Sequence, residues 1–253
     1  MNDNGLLKKE YLGKNIWCFL SDEHSFGTDA LLLAHFAGPK PSDKCCDLGS
    51  GCGIIPLIWC KNSTGKITAV EIQQKGFDQI ERAIEFNGLS GRLTAVNSDL
   101  RDLKGKLEFG SYNLVTMNPP YTKAGAGIVS ASGSDTIARH ETMCALEDIC
   151  VTASKLLNFG GRLCMCIRPE RTAELFFEMK KQGIEPKRLR FVSKCSGCKP
   201  WLALIEGRKG GKSGMAVENE LNIYMQGSDE YTDEVKSLYS DYFEAREQNT
   251  NKD

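Results

Sequence analysis

The segment Cys45-Cys46-Asp47-Leu48-Gly49-Ser50-Gly51-Cys52-Gly53 decides the fold of this 253-residue chain. Its first four residues suit a buried strand, and three glycines at alternate positions follow. Glycine lets the backbone turn tightly and approach a ligand closely. An apolar run that begins at Ile54 comes next. The segment therefore predicts a strand, a glycine loop and a helix, the unit at which α/β sheets bind nucleosides.

Apolar periodicity continues this alternation along the chain. Strands are predicted at 44–48, 66–71, 92–96, 112–117, 162–167, 187–194 and 201–206, and helices at 54–60, 75–87, 143–157 and 171–182. Because the strands are apolar throughout, they predict a mostly parallel sheet with helices on both faces. The last two strands are joined by a short loop, so we expect them to pair as an antiparallel hairpin.

The composition fits one good-sized domain or two small ones. Apolar residues make up 41% of the chain, which is enough for a real core. No apolar run approaches the roughly 20 residues that a bilayer span needs, and the polar start at 1–4 lacks the pattern of a signal peptide. We therefore expect no membrane contact and a cytoplasmic location.

The chain has eleven cysteines, an odd number. Most lie in apolar runs, which is typical of small buried residues in a reducing compartment. Cys195 and Cys198 have metal-like spacing, but zinc needs about four ligands and no second pair of this kind exists. A glycine turn is therefore favoured there over a metal or redox site. His24, His35 and His140 are not grouped with other ligand types, and we predict no metal.

Charge is unevenly distributed along the chain, although the formal net charge is only −1. The stretch 180–212 is strongly basic and the stretch 218–253 is acidic. Lys and Arg bind polyanions by releasing counterions, so the basic stretch is a candidate phosphate surface. A solvated helix face and loop would have the same composition. The candidate RNA contacts are Lys187, Arg188, Arg190, Lys194, Lys199, Arg208, Lys209 and Lys212.

Acidic residues follow the next two strands at positions suited to a nucleoside cofactor. Glu71 comes 24 residues after Asp47, close to the ~20-residue spacing at which an acid meets ribose hydroxyls. Asp99 lies just beyond the third strand, where it could accept a hydrogen bond from an adenine amino group, with Leu100 beside the ring. The alternatives are a solvated strand end for Glu71 and a helix cap or turn for Asp99.

A further candidate segment, Phe26-Gly27-Thr28-Asp29-Ala30, precedes a helical run ahead of the sheet. Thr28 or Asp29 could cap that helix. Alternatively, Phe26 covers the cofactor and Asp29 lies near its methionine amino group. The complete predicted cofactor set is Phe26, Gly27, Thr28, Asp29, Asp47, Gly49, Ser50, Gly51, Cys52, Gly53, Glu71, Ile72, Asp99, Leu100 and Asn118.

The segment Asn118-Pro119-Pro120-Tyr121 follows the strand predicted at 112–117 and is suited to hold a planar amino group. Such a group is a poor nucleophile while its lone pair is delocalised. The Asn118 amide oxygen and the Pro119 carbonyl can each accept one of its N–H bonds, and Tyr121 offers a stacking face. Positioning does most of this work, so no strong general base is needed. An ordinary Pro-rich strand end is the alternative. With the glycine loop, these four catalytic candidates indicate methyl transfer from S-adenosylmethionine to the nitrogen of a base or an amide.

These motifs resemble the class I S-adenosylmethionine-dependent methyltransferases with an Asn-Pro-Pro-Tyr motif, and more closely the bacterial tRNA1(Val) (adenine-37 N6)-methyltransferase family. The resemblance spans roughly residues 10–245. It is carried by Phe26–Ala30, Asp47–Pro56, Asn118–Tyr121, Arg139-His140-Glu141, Lys199-Pro200, Gly207–Gly211 and Leu221–Tyr224.

The resemblance implies an α/β Rossmann-like fold with a seven-stranded, mostly parallel sheet that contains one antiparallel strand. It also implies S-adenosylmethionine as the cofactor and a tRNA substrate whose anticodon-loop adenine is flipped and methylated at N6. The basic segment 187–212 would face the tRNA, and Arg139-His140-Glu141 would border the base pocket.

The expected organisation has three parts: a segment at 1–43 that packs on the cofactor site, a methyltransferase domain at 44–247 and a disordered tail at 248–253. The Gly-, Ala-, Ser- and Thr-rich stretch 122–136 is expected to be a mobile loop. The sequence does not indicate an oligomeric state.

Other activities remain open at this point. Glutamine-amide N5 methylation of a translation factor uses the same two N–H groups, but those enzymes usually carry a helical region before the glycine loop, and only about forty residues precede it here. Guanine-N2 methylation of ribosomal RNA is compatible with the acceptor residues. DNA adenine methylation would call for a separate target-recognition domain. A protein that binds the cofactor or RNA without turnover is the non-enzymatic alternative.

Overall fold

The structure is a computed structural model, and it describes residues 7–21, 24–63, 65–119, 145–240 and 242. The strands in these ranges are β1 (Lys8–Gly13), β2 (Ile16–Leu20), β3 (Cys45–Leu48), β4 (Ile67–Glu71), β5 (Leu93–Asn97), β6 (Tyr112–Met117), β7 (Leu157–Ile167), β8 (Ile184–Ser193), β9 (Pro200–Lys209), β10 (Ala216–Val217) and β11 (Leu221–Asn222). The helices are α1 (Thr28–Ala37), α2 (Ile54–Cys60), α3 (Gln74–Phe86), α4 (Leu146–Leu156), α5 (Thr172–Lys181) and α6 (Asp233–Leu238).

The central sheet has the strand order β10-β8-β9-β7-β6-β3-β4-β5, and β11 also pairs with β8. β3 lies in the middle and pairs in parallel with both β4 and β6. β9 is antiparallel to both of its neighbours, β7 and β8. The predicted α/β class, the mostly parallel sheet and the final antiparallel hairpin are therefore confirmed.

The predicted number of seven strands is wrong, because the sheet has nine. The two additional strands, β10 and β11, have two residues each and pair in parallel with the outer edge of β8. An uncovered edge strand presents unpaired backbone groups. The chain after β9 returns along β8 and pairs with part of its backbone N–H and C=O groups. Strands this short have no periodicity by which the sequence could reveal them.

The core consists of two apolar clusters, one on each face of the sheet. β3 shows how one strand supplies both, since side chains alternate across a strand. Cys45 belongs to the cluster that contains α1 and α2, and Cys46 belongs to the cluster that contains α4. Both thiols are fully buried, as are Cys164 and Cys166 in β7. The prediction of buried core cysteines is confirmed at these four positions.

An antiparallel hairpin of β1 and β2, which periodicity did not predict, precedes the sheet. Lys14 and Asn15 at its tip have φ of 49° and 59°. Positive φ at both central residues is typical of the two-residue turns that match strand twist. Asn87, after α3, holds the hairpin on the domain: its Oδ1 accepts from the Trp17 N–H and its Nδ2 donates to the Trp17 carbonyl, both at 2.8 Å.

Several predicted boundaries differ from those observed. β7 begins at Leu157 rather than 162, and β8 begins at Ile184 rather than 187. In β7 the early residues include two glycines, which weaken the strand pattern. The helix α6 was not predicted. Within the described ranges no helix is long and apolar enough to span a membrane.

We predict that Asn87→Ala lowers the free energy of unfolding by about 1–3 kcal/mol, because both backbone groups of Trp17 lose their partner. Urea unfolding followed by fluorescence would measure the change. Gln74→Ala is the control, since Gln74 is exposed and its amide donates to Asp78 across one helical turn (2.7 Å). Equal stability of the two variants would contradict this role of Asn87.

Candidate active site

The carboxyl edge of the sheet, where the parallel strands β3, β4 and β6 end, brings the predicted site segments together. Leu48, the last residue of β3, pairs with Met117, the last residue of β6. Gly49 and Asn118 therefore leave the sheet side by side. Glu71 ends β4, the neighbour of β3 on the other side. Ligands of open α/β sheets bind at this type of edge.

The glycine loop at 49–53 has the turned backbone that its sequence predicts. Gly49, Gly51 and Gly53 have φ of 62°, 56° and 81°, a left-handed region that favours glycine. Gly53 is also the residue that caps the N-terminus of α2. Among the described residues, no atom would lie within 4 Å of a Cβ atom on Gly51. This open side of the loop is where a ligand can approach the backbone.

Asp47 holds the loop from below. It is 1% exposed, and its carboxylate accepts hydrogen bonds from Thr116 Oγ1 (2.6 Å) and Ser50 Oγ (2.7 Å). Burial raises its pKa to about 7, although the two hydrogen bonds act in the opposite direction. Asp47 and Ser50 thus connect the glycine loop to β6 through hydrogen bonds. Their contact with a cofactor stays a prediction.

Glu71 is 4% exposed, so the alternative of a solvated strand end is wrong. Its Oε2 accepts from the Gly51 N–H at 2.7 Å, and its Oε1 accepts from the Gln73 N–H at 2.8 Å. A Cβ on Gly76 would lie 3.0 Å from Glu71 Cγ, so α3 packs closely against this side chain. Ile72, the next residue, is 39% exposed beside the loop.

Asp99 forms a local turn with Arg101. Its Oδ1 accepts from the Arg101 backbone N–H at 2.8 Å, and its Oδ2 forms an ion pair with the Arg101 guanidinium at 2.5 Å. The guanidinium holds the pKa of this carboxyl below its usual value. The turn interpretation is therefore confirmed, and contact with adenine stays a prediction. Leu100 is buried in the core cluster, away from solvent.

Gly27 is the N-cap residue of α1, and no side chain makes a capping hydrogen bond there. The expectation that Thr28 or Asp29 caps this helix is therefore wrong. Asp29 Oδ2 instead accepts a hydrogen bond from Asn118 Nδ2 at 2.9 Å. Phe26 is partly buried, and its ring lies 6.3 Å from that of Tyr242 in an edge arrangement.

Asn118 is held from both ends of its amide. Its Nδ2 donates to Asp29, and its Oδ1 accepts from Cys166 Sγ at 3.0 Å. Since a carboxylate accepts and never donates, Asp29 determines which end of the amide is the oxygen. Sequence reasoning treated Cys166 only as a core residue, although its place one residue after the position of β7 that pairs with Met117 puts it beside Asn118.

The rest of the acceptor segment is described only as far as Pro119, which is buried. The predicted catalytic residues Pro120 and Tyr121, the loop at 122–136 and Arg139-His140-Glu141 lie outside the described residues. The predicted tail at 248–253 does so as well.

Two contacts join the N-terminal segment to this edge. One is the Asp29–Asn118 bond, and the other runs from Cys18 Sγ in β2 to the carbonyl of Cys52, at 3.5 Å. Cys52 is 1% exposed, so its side chain lies under the loop rather than on its open side.

The predicted RNA residues are divided between two ends of the sheet. β8 runs parallel to β7, because both are antiparallel to β9. The loop after β8, which contains Lys194 and Lys199, therefore lies at the carboxyl edge. Arg208, Lys209 and Lys212 lie at the opposite end, about 30 Å away for a ten-residue strand such as β8. The basic stretch is thus not one continuous surface.

Several of these basic side chains stabilise the fold. Arg188 forms ion pairs with Glu218 (2.6 Å) and Glu206 (2.9 Å). Arg190 pairs with Glu234 at 2.7 Å. Two lysines donate to backbone carbonyl groups. Lys187 donates to those of Lys212 and Gly214, and Lys209 donates to those of Ser154 and Leu157. The exposed side chains among the eight are those of Lys194, Lys199, Arg208 and Lys212.

The loop after β8 also contains Cys195 and Cys198. A turn closes it, with the Cys198 N–H 3.0 Å from the Cys195 carbonyl and Gly197 at φ 77°. The predicted glycine turn is confirmed, but the two sulfur atoms are also bonded to each other, which the sequence did not predict. The turn brings the Cα atoms to 5.4 Å, within the range of disulfides. Among the residues with described positions, no group of three or more His, Cys, Asp or Glu could hold a metal ion.

A family model, the methyltransferase small domain, matches residues 18–182. The chain belongs to this family. The match covers the hairpin strand β2, the glycine loop, the acceptor segment and the sheet as far as α5. The glycine loop and Asn118 therefore both lie within the matched methyltransferase domain.

Curated relatives carry a more specific name. A tRNA1(Val) (adenine(37)-N6)-methyltransferase of Parabacteroides distasonis is 27% identical over 221 residues, which cover 84% of this chain and 90% of that protein. A protein of the same name from Histophilus somni is 28% identical over 220 residues, covering 86% of this chain and 89% of that one.

Solved structures share the fold. A protein of Agrobacterium tumefaciens, described as a predicted O-methyltransferase, superposes with a TM-score of 0.67 at 22% identity, over 85% of this chain and 97% of that one. The geranyl diphosphate C-methyltransferase of Streptomyces coelicolor, solved with Mg²⁺, geranyl diphosphate and S-adenosyl-L-homocysteine, gives 0.53 at 13% identity, over 71% and 79%. The Rossmann-like sheet is thus that of methyltransferases.

We predict that the stability of the protein falls as pH rises from about 4 to about 7, because of Asp47. Its pKa is about 7 in the folded protein against 3.8 for a free side chain, so between those values the folded state holds a proton that the unfolded state has lost. At about 1.4 kcal/mol per unit, the loss is at most about 4 kcal/mol.

Urea unfolding across this pH range would measure the effect. Asp47→Asn should flatten the slope, since the amide does not titrate, whereas Asp78→Asn on the exposed face of α3 should leave it unchanged. The same slope in wild type and Asp47→Asn would show that Asp47 does not titrate in this window.

Proposed function

We propose that this small-domain methyltransferase transfers the methyl group of S-adenosylmethionine to N6 of an adenine in tRNA, at position 37 of a tRNA1(Val)-type anticodon loop. The observation that carries the proposal is the placement of Asn118. It leaves the sheet beside the glycine loop, and its amide is oriented so that Nδ2 donates to Asp29 and Oδ1 is an acceptor, occupied here by the Cys166 thiol. The names of the curated relatives, which align over 84–86% of the chain, support adenine 37 as the target.

The residues at the carboxyl edge fit the cofactor. The side of Gly51 on which a Cβ atom would meet no described residue within 4 Å leaves room for a ligand against the backbone. The buried Glu71 carboxylate lies against the same loop and would accept hydrogen bonds from the ribose hydroxyls. Asp99 would accept one from the adenine amino group. When bound, S-adenosylmethionine supplies an activated methyl group on a sulfonium centre.

The acceptor segment would orient the target amine. Asn118 Oδ1 would accept one N6–H bond in place of the Cys166 thiol, and the Pro119 carbonyl would accept the other. Two acceptors below the amine direct its lone pair out of the ring plane toward the methyl group. As the N–C bond formed, the S–C bond of the sulfonium would break with its electron pair left on sulfur, and the methylated amine would then lose its proton to solvent, so the site would require no strong base.

The N-terminal segment at 1–43 belongs to this site in our proposal. The Cys18–Cys52 and Asp29–Asn118 contacts connect it to the glycine loop and to the acceptor segment. Phe26 would cover the cofactor, and the substrate would place the reaction in the cytoplasm.

Methyl transfer from labelled S-adenosylmethionine to total RNA from a host without this protein tests the proposal. Nucleoside analysis should find labelled N6-methyladenosine in the tRNA fraction. Label in N2-methylguanosine of ribosomal RNA would overturn the proposal and indicate a guanine of ribosomal RNA as the substrate. Label in a protein extract, with none in RNA, would indicate a glutamine amide as the acceptor.

We predict that Asn118→Ala lowers kcat by about 10²-fold or more, because one of two contacts that position the amine is lost. The Kd for tRNA should change little, since the base is one contact among many. Single-turnover methylation and fluorescence anisotropy would measure the two quantities. Asn219→Ala, at an exposed asparagine between β10 and β11, is the matched control. An active Asn118→Ala enzyme would contradict the assignment.

We also predict that Lys194→Ala and Lys199→Ala each reduce the salt dependence of tRNA binding by about 0.7–0.9 in the slope of log K against log salt, the value for one lost phosphate contact. Both residues are exposed at the carboxyl edge. Cofactor affinity should be unchanged. Lys8→Ala, whose side chain is 77% exposed in the hairpin, serves as control. Unaltered slopes for both loop variants would show that this loop does not contact RNA phosphates.

A further inference from the structure

A bulge interrupts the start of β7 at the amino edge of the sheet, the edge where β3, β6 and β7 begin. Tyr112 pairs with Leu157, but Leu114 pairs with Arg162, so the four β7 residues 158–161 lie opposite the single β6 residue Asn113. The additional residues, 158–161, protrude from the sheet around Gly160, whose φ is 81°. Bulges change the direction of side chains and are common beside functional sites.

Phe159 lies on this bulge and is 84% exposed, more than any other large apolar side chain in the described ranges. Its ring rests against the backbone of Gly210: a Cβ atom at that position would lie 2.1 Å from Phe159 Cε2. The ring therefore has a support on one face, while most of its surface contacts solvent. This is the geometry of a stacking platform rather than of a core residue.

A cavity of about 440 Å³ lies next to the ring, and its wall includes three cations. Lys40, Arg162 and Arg208 line it with a single carboxylate, that of Asp43. Arg162 lies between two carboxylates, 3.6 Å from Asp43 and 3.1 Å from Glu206, so it neutralises Asp43 only in part, and Lys40 and Arg208 supply the other positive charges of the cavity. Pockets for small organic ligands typically measure about 300–1,000 Å³, so this cavity has room for one nucleotide.

The side chains of Lys40 and Arg208 are both exposed to solvent. Arg208 is exposed, and its Nε donates to the Gly160 carbonyl at 2.9 Å, which orients the guanidinium beside the bulge. Lys40 is also exposed and lines the cavity. The amide of Asn158, also on the bulge, offers both a donor and an acceptor at the wall. An aromatic face, two cations and an amide together match a base with its phosphate.

We propose that this amino-edge site, formed by Lys40, Asn158, Phe159 and Arg208, binds a nucleotide of the tRNA that lies outside the methylated anticodon loop. The inference rests on the proposed RNA substrate. The sheet between the bulge and Asn118 is spanned by β6, whose residues from Tyr112 onward place the site about 20 Å from Asn118. The methylated base and its immediate neighbours do not span that distance, so the bound nucleotide lies further along the tRNA.

The test measures binding by fluorescence anisotropy with two labelled probes: a full-length tRNA1(Val) transcript and its isolated anticodon stem-loop. Wild type should bind the full-length tRNA more tightly. Phe159→Ala should weaken binding of full-length tRNA about five- to tenfold, the effect of one lost base–aromatic stack, and should leave binding of the stem-loop unchanged. Arg208→Gln should act in the same way and should also reduce the salt dependence.

Phe177→Ala is the matched control, because Phe177 is also exposed (65%) but lies on α5, away from the cavity. Thermal unfolding of each variant establishes that the fold is intact. Equal binding of full-length tRNA by wild type and Phe159→Ala would overturn the proposal, and so would equal weakening toward both probes. Failure of wild type to bind tRNA would overturn it as well.

Two parallel measurements separate this proposal from the others. Methylation of the tRNA by wild type, together with binding that does not depend on Phe159, would overturn the amino-edge site and leave the proposed function intact. Absence of methylation with Phe159-dependent tRNA binding would overturn the function and support the site. AMP serves as the free-nucleotide probe: AMP binding that depends on Phe159, without an effect on tRNA binding, would assign the cavity to a mononucleotide and overturn the RNA source.

Discussion

The parallel pairing of β3 with β6 is the constraint on which the site depends. Because Leu48 and Met117 are partners, the glycine loop and the acceptor segment leave the same edge at neighbouring positions. A shift of one residue would turn the side chains of β3 to the wrong faces of the sheet, and both faces are buried. The bond from Thr116 to the buried Asp47 reinforces this register from inside the sheet. The geometry of the reaction centre thus depends on core packing.

The acceptors at this edge already have donors within the protein. Glu71 accepts from two backbone N–H groups, Asp99 from Arg101, and Asn118 from the Cys166 thiol. Buried acceptors without partners would cost stability, so these internal bonds keep the edge folded when no ligand is present. Each ligand bond formed at these atoms would replace or share an existing one. Each such bond would therefore add only modestly to ligand affinity. A ligand without the matching donor would leave the internal hydrogen bonds as they are.

Periodicity and glycine spacing were sufficient to predict the order of the main strands and helices, since a parallel strand is a short apolar run with recognisable ends. They did not reveal β10 and β11, whose two residues each have no period. Asn118 was identified from its place after a strand, but its partner Cys166 was not, because the thiol resembles any other core residue. That contact depends on the register of β6 and β7, which a one-dimensional pattern does not contain.

The basic stretch shows the same limit for charge. Consecutive lysines and arginines suggested one surface, yet a β-hairpin places its turn and its ends at opposite sides of the sheet. Burial then assigns Arg188 and Arg190 to ion pairs with acidic residues from the segment after β9. Charge counted along the sequence therefore overestimates the basic surface available to a polyanion. Acidic residues of the following stretch neutralise part of the basic stretch within the protein.

The antiparallel hairpin of β8 and β9 has a consequence for the divergence of such proteins. Its turn, at 194–199, reaches the reaction edge from strands that contribute none of the proposed cofactor contacts. Insertions or substitutions in this turn would leave the glycine loop, Glu71 and Asn118 in their positions. Under the proposed function, substrate choice and methyl-donor binding would thus lie on separate structural elements, and the first could evolve without loss of the second.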